Sequence, residues 1–122
     1  HKGHKTYRIL VDIDDSISLE TVQNAVSKLK GALIHQRTPQ RVAHRRADLV
    51  RERRVVDIEC LGIEESLYRI EVVGEGGLYI KELVSGDCGR TTPSLAEILA
   101  VPAKVIALDV VQVDGISNNG DE

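Results

Sequence analysis

The chain has 122 residues and a mass of 13.4 kDa; it is 42% hydrophobic and 29% charged, with a formal charge of −3, three Tyr, and no Phe, Trp or Met. That balance is too apolar for a disordered chain, and no run of about 18 apolar residues is present to span a membrane as a helix. It suits one domain, residues 1–122, with an aliphatic, β-branched core that buries about two thirds of the unfolded surface. A gene product starts with Met, and this chain starts with His1, which is too large for ordinary removal of an initiator, so the chain reads as a piece of a longer protein. The start has no apolar leader pattern. Cys60 and Cys88 stand far apart without metal or redox spacing. They read as reduced thiols, which points to a reducing, cytoplasmic setting.

Thr6 to Ile13 alternates, with Tyr7, Ile9, Val11 and Ile13 on one face, and predicts a strand. From Ser18, a plausible N-cap, Leu19, Val22, Ala25, Val26 and Leu29 recur at helical spacing up to a stop at Gly31. Ala32 to Gln36 is a short strand that runs into Thr38-Pro39. From about Val50 the chain alternates again, with Val56, Ile58 and Cys60 on one face and Asp57 and Glu59 on the other. A turn over Gly62 to Ser66 leads to Tyr68, Ile70 and Val72, which makes a β-hairpin. Gly74-Glu75-Gly76-Gly77 ends it, and Leu78 to Val84 reads as a helix. A loop over Ser85 to Gly89 and a short helix from Thr92-Pro93-Ser94 follow, with Ser94 and Glu97 spaced as a capping box. Lys104 to Asp114 is a last long strand, and 115–122 reads as a disordered tail. This order predicts an α+β fold, a mainly antiparallel sheet with helices packed on one face.

The charge is unevenly placed. Between His35 and Arg54 lie seven of the ten arginines against two acids, so this segment carries +5 and the remainder −8. An acidic scaffold that presents one arginine-dense arm points to a local anion-binding surface, because guanidinium forks match phosphate oxygens. The alternative is a solvated charged face. No aromatic set is interleaved with the basic residues, which argues against base stacking on a sheet platform.

The second segment of interest is Gly74 to Leu83, where a glycine turn precedes a helix with Lys81 in its first turn. The glycines could cradle a phosphate, or let the backbone pass close to a substrate while Lys81 offers a fixed cation. The spacing fits neither common nucleotide-binding loop, and a plain strand-to-helix turn is the competing reading. His1 and His4 sit on a frayed end and are not taken as a metal site. Asp57 and Glu59 read as a solvated face rather than an acid/base pair. The chain, read alone, supplies no convincing nucleophile.

Three stretches carry a family resemblance. They are Lys5-Thr6-Tyr7-Arg8; Gln36-Arg37-Thr38-Pro39 with Arg41, His44, Arg45 and Arg46; and Gly77-Leu78-Tyr79-Ile80-Lys81-Glu82-Leu83 with Gly86-Asp87 and Gly89-Arg90-Thr91. Over about residues 4–114 the chain resembles the archaeal and eukaryotic tRNA pseudouridine synthases that modify T-arm uridines. The third stretch is also similar to the Gly-Thr-Tyr-Ile-Arg motif of the bacterial T-loop pseudouridine synthase. The resemblance implies the second half of a catalytic domain with a cleft across an antiparallel sheet. A uridine would be flipped into that cleft. An aspartate would drive conversion of its N-glycosidic bond into a C-glycosidic one, without cofactor or metal.

In the family that aspartate lies N-terminal to the Tyr7 strand, and no matching motif occurs here; the isolated chain is expected to be inactive. The resemblance further implies that Tyr7 packs on the target base and joins the proton chemistry. Lys81 would pair with the aspartate and keep it ionised. Ile80 and Leu108 would wall the base pocket, and Arg37, Arg41, His44, Arg45, Arg46 and Arg51 would hold tRNA phosphates. A non-catalytic RNA-binding module and a domain that meets an acidic protein partner are the competing readings. An edge left open by missing sequence would also favour dimerisation.

Overall fold

The computed structural model describes residues 3–113. In chain order the elements are β1 (His4–Ile13), α1 (Leu19–Leu29), β2 (Leu33–Arg37), β3 (Val50–Glu64), β4 (Leu67–Glu75), α2 (Ile80–Ser85), β5 (Thr91–Thr92), α3 (Leu95–Leu99) and β6 (Ala103–Val113). Single 3-10 turns lie at Gln40–Val42 and Asp87–Gly89. The expected tail at 115–122 lies outside the described residues.

The six strands form one sheet in the order β5-β2-β3-β4-β1-β6, and neighbours are antiparallel throughout. The α+β expectation, with a mainly antiparallel sheet and helices on one face, is borne out. The three helices form one layer: α1 packs on β3 and α3, and α2 packs on β6 and α3. The face they cover is set by cross-strand pairing, because residues directly opposite each other share a face. Tyr7 pairs with Val72, Ile9 with Ile70 and Val11 with Tyr68, while Ile58 pairs with Val72 and Cys60 with Ile70. All of these belong to one buried cluster with Val22, Ala25, Val26 and Leu29 of α1. The other face is mixed: Arg8 meets Glu71 there at 3.1 Å, and Leu10 stands between Arg69 and Ala107.

Ser18 caps α1 by accepting the Thr21 N–H, and Ser94 caps α3 by accepting the Glu97 N–H. Only half of the expected capping box forms, since the Glu97 carboxylate accepts the Thr92 hydroxyl instead of a cap N–H. The β3–β4 turn is tighter than expected. Its two residues are Glu65 and Ser66, both at positive φ (52° and 74°), the geometry whose twist suits a two-residue hairpin. Gly62 is not part of that turn but lies in β3 beside an irregularity.

Strand β3 also departs from simple alternation. Val55 pairs with Gly74 and Asp57 with Val73, so Val56 is an extra, bulged residue. Val55, not Val56, is fully buried. Helix α2 begins two residues later than expected, at Ile80. Strand β5 has two residues and no alternation to announce it.

Leu29 is fully buried where α1 meets the sheet. Leu29→Ala is expected to lower stability by about 2–5 kcal/mol, read as a fall in the urea midpoint at unchanged slope. A loss below about 1 kcal/mol would show that the α1 contact does not hold the layers together. Three core groups also set an alkaline limit. Burial pushes the Tyr7 and Tyr68 hydroxyls above their ordinary 10.0 and the Cys60 thiol above its ordinary 9.0. At high pH the unfolded chain then releases these protons first. The stabilisation is complete below pH 9.0 and is lost as pH rises through the folded values. The urea midpoint is expected to fall steadily above that pH, and a flat profile to pH 10.0 and beyond would contradict the burial of these groups.

Candidate active site and nucleic-acid interface

Strand β4 ends at Glu75 and the chain turns through Gly76 and Gly77 toward α2. Gly77 has φ +93°, and a Cβ there would meet Arg53 Nε at 3.0 Å and Arg51 Nη1 at 3.2 Å. Glycine adopts this φ without strain and leaves the guanidinium groups where they stand; another residue would be strained and would push them aside. Arg53 Nε donates to the Gly76 carbonyl at 3.0 Å and Arg51 Nη1 to the Gly77 carbonyl at 3.4 Å. The turn is therefore held from β3.

Helix α2 has six residues, and its cap position, Tyr79, supplies no side-chain cap. So short a helix is not stable by itself and depends on packing. Ile80, Leu83 and Val84 are buried. Glu82 is 5% exposed, a charge that needs a partner. It finds one in Arg41, with Nε to Oε2 at 2.7 Å and Nη2 to Oε1 at 3.4 Å. The hydrogen bond to Glu82 is the largest cause that raises the Arg41 pKa.

Lys81 lies between buried Ile80 and buried Glu82 but is itself exposed. It lines an open groove of about 770 Å³ with Gln40, Arg41, Asp87, Lys104 and Val105. Lys81 makes no ion pair among the described residues. The apolar side of this region is one cluster. Tyr7 (9% exposed) and Ile80 (4%) belong to it, and Leu108, which pairs with Ile9, packs against it half-buried. Tyr7, Ile80 and Leu108 thus share the core cluster, and none of the three lines the groove that Lys81 lines. Exposure along the core side of β6 rises from Ala103 through Val105 and Leu108 to Val110, which is 54% exposed.

The basic segment is not one projecting arm. Its ends are strands, with Gln36 paired to Arg51 and Arg37 to Val50, and only residues 38–49 leave the sheet. Its arginines divide into two groups. Arg37 pairs with Asp48, Arg41 with Glu82, and Arg54 donates to the Gly31 carbonyl at 2.7 Å. The Arg51 guanidinium lies 5.0 Å and that of Arg41 5.9 Å from the centre of the Tyr79 ring. His44, Arg45 and Arg46 are exposed and make no side-chain hydrogen bond or ion pair among the described residues. These three form the open tip of the excursion.

Several residues that shape the site escaped sequence reasoning. Arg90 donates to the Thr38 carbonyl at 2.6 Å and to Asp48 at 3.3 Å, which ties the excursion to the segment after α2. Tyr79 and Glu82 gave no signal of their own beyond lying in a quoted motif. Gln36 did: it alternates with Ile34, a fully buried residue, and so falls on the core face.

The family described as "Pus10, C-terminal" matches residues 1–114. The chain is 50% identical over 112 residues to a tRNA pseudouridine synthase Pus10 from Pyrococcus furiosus, which covers 92% of this chain and 29% of that protein. It is 50% identical over 111 residues to the Aeropyrum pernix protein of the same name, covering 90% of this chain and 25% of that one. The chain spans about a quarter to a third of the length of these curated relatives. A chain in the crystal structure of a Cbf5-Nop10-Gar1 complex superposes with a TM-score of 0.69 at 25% identity, over 90% of this chain and 30% of that one. A chain in an archaeal box H/ACA sRNP Nop10-Cbf5 complex shares the fold, with a TM-score of 0.62 at 20% identity over 93% and 29% of the two chains.

Proposed function

Because the chain belongs to the Pus10 C-terminal family, we propose that the full-length protein is a tRNA pseudouridine synthase that acts on T-arm uridines. This chain contributes the lysine, the base-pocket wall and part of the RNA surface. The observation that supports this most is Lys81, an exposed cation without an ion pair among the described residues, at the rim of the apolar cluster that holds Tyr7 and Ile80. A carboxylate brought to that groove by the remainder of the protein would pair with Lys81 and stay ionised. A flipped uridine would lie between Tyr7, Ile80 and Leu108. There its N-glycosidic bond is exchanged for a C-glycosidic one, and the proton on the carbon that forms the new bond must be removed. Tyr7, whose phenol is ordinarily neutral below about pH 10.0 and is pushed further up by burial, would pass a proton on only as it receives another.

The reaction as proposed uses no cofactor and takes place in the cytoplasm. No helix among the described residues is long and apolar enough to cross a membrane. The arginine-rich excursion supports tRNA contact at two levels. His44, Arg45 and Arg46 are open to phosphates, whereas Arg37, Arg41 and Arg51 reach them from positions already braced by Asp48, Glu82 and Tyr79. The β6 edge, with Ile106, Val110 and Val111 exposed, is the surface through which the isolated chain would dimerise.

Lys81→Ala in the full-length protein is expected to reduce uridine isomerisation by at least about a hundredfold while tRNA binding is retained. Surviving activity would remove the catalytic assignment and favour a non-catalytic RNA-binding module. Replacing Arg45 and Arg46 by Ala is expected to weaken tRNA binding and to lower its salt slope by about one unit for each phosphate that the tip neutralises. An unchanged slope would refute phosphate binding at the tip.

A further inference from the structure

We propose that Gln36 is a positioning residue for Lys81: its buried side-chain amide clamps the backbone of Tyr79 and so sets the first turn of α2. Gln36 is fully buried, on the core face of β2, directly opposite Arg51. Its Nε2 donates to the Tyr79 carbonyl at 2.9 Å, and its Oε1 accepts the Tyr79 N–H at 2.9 Å. Both ends of the amide are thus spent on one backbone residue, the way a strand neighbour would use its own peptide group.

Tyr79 is the cap residue of α2, and its carbonyl also accepts the Leu83 N–H at 3.0 Å, the first bond of the helix. Lys81 is two residues further on. A six-residue helix cannot hold its own place, and Tyr79 offers no side-chain cap. Arg51 and Arg53 hold the glycines before it, and on the first turn itself Arg41 binds Glu82, but Arg41 is half exposed, so it can move. Gln36 cannot: it is enclosed and comes from a strand paired on both sides, with β3 and β5. It therefore ties the turn of Lys81 to the rigid sheet.

This inference rests on the reading of Lys81 as the partner of a catalytic carboxylate, and the experiment separates the two. In the full-length protein, single-turnover uridine isomerisation in tRNA is followed against pH for the unsubstituted protein, Gln36→Met and Lys81→Ala. Methionine keeps the length and fills the space but makes neither bond. If Gln36 positions Lys81, Gln36→Met lowers the rate about tenfold to a hundredfold at neutral pH. It also moves the acid limb of the profile up by about one pH unit, because a displaced lysine no longer depresses the carboxylate pKa. Arg41, Glu82, Asp87 and Lys104 also face the groove, so Gln36→Met is repeated on the Lys81→Ala background, where the limb is expected to stay as Lys81→Ala alone leaves it; a further shift there overturns the proposal.

A purely structural defect scales the rate at every pH and leaves the limb in place; that outcome, or an unchanged rate, overturns the proposal. If Gln36→Met is inert while Lys81→Ala lowers the rate, the positioning role fails and the reading of Lys81 stands. If Lys81→Ala is also inert, both fail. Should Gln36→Met not fold, Gln36→Glu decides. As a neutral acid it makes the same two bonds, and as a carboxylate it cannot donate to the Tyr79 carbonyl. Its rate should drop at a pH where the unsubstituted protein keeps its own, and a profile without that extra limb overturns the proposal.

Discussion

A helix of six residues with no side-chain cap does not stay formed in water, and the rest of the site depends on how this chain overcomes that for α2. The solution is external. Ile80, Leu83 and Val84 are held by the core, Glu82 by Arg41, the cap backbone by Gln36, and the preceding glycines by Arg51 and Arg53. Each restraint comes from a different part of the β2–β3 region or from the core. Lys81 alone on the first turn is left unburied and unpaired among the described residues. In the proposed reading, a cation whose backbone is held and whose side chain is open would meet a partner carboxylate without reorganisation at the time of reaction.

The same contacts change how the basic segment is understood. As a sum of charges it is a +5 patch. As a structure it is mostly a set of braces, because Arg37, Arg41, Arg53 and Arg54 bind protein carboxylates or carbonyls. Arg51 and Arg41 lie near the Tyr79 ring at distances where cation–π attraction is modest for exposed groups, about 0.5–1 kcal/mol. The charge still available to a polyanion is concentrated at Arg45 and Arg46, beside the exposed His44. The proposed RNA contact and the shaping of α2 would therefore be linked through one hairpin, whose strands serve the helix and whose tip is exposed.

Much of this was legible in the sequence. Alternation in β1 and helical spacing in α1 identified both elements and their buried faces, because each has one apolar face and the code for that is periodic. The motif segments contain Tyr7, Ile80 and Lys81, of which the first two are core residues and the third is exposed. What escaped had no periodic signature. The pairing of Arg41 with Glu82 joins residues 41 positions apart, and that of Gln36 with Tyr79 joins residues 43 apart. Such contacts are decided by topology, and no local pattern encodes them. The parity of β3 failed for a similar reason: a bulge inserts one residue, and alternation read from Ile58 and Cys60 backwards then assigns the wrong face to every residue before Val56.

That inserted residue makes β3 a strand with two phases. After it, even-numbered Ile58 and Cys60 face the helices; before it, odd-numbered Val55 does so, and Arg53 and Arg51 are directly opposite the buried Ile34 and Gln36. Were Val56 paired in regular alternation instead of bulged, the strand would keep its core at Ile58 and Cys60 and turn both arginines to the far side of the sheet. The carbonyls of Gly76 and Gly77 would then face empty space where they now meet guanidinium groups. One unpaired valine thus acts as a coupling joint between a hydrophobic half-strand and a cationic one, and it lets a single β-strand serve the core at one end and the lysine turn at the other.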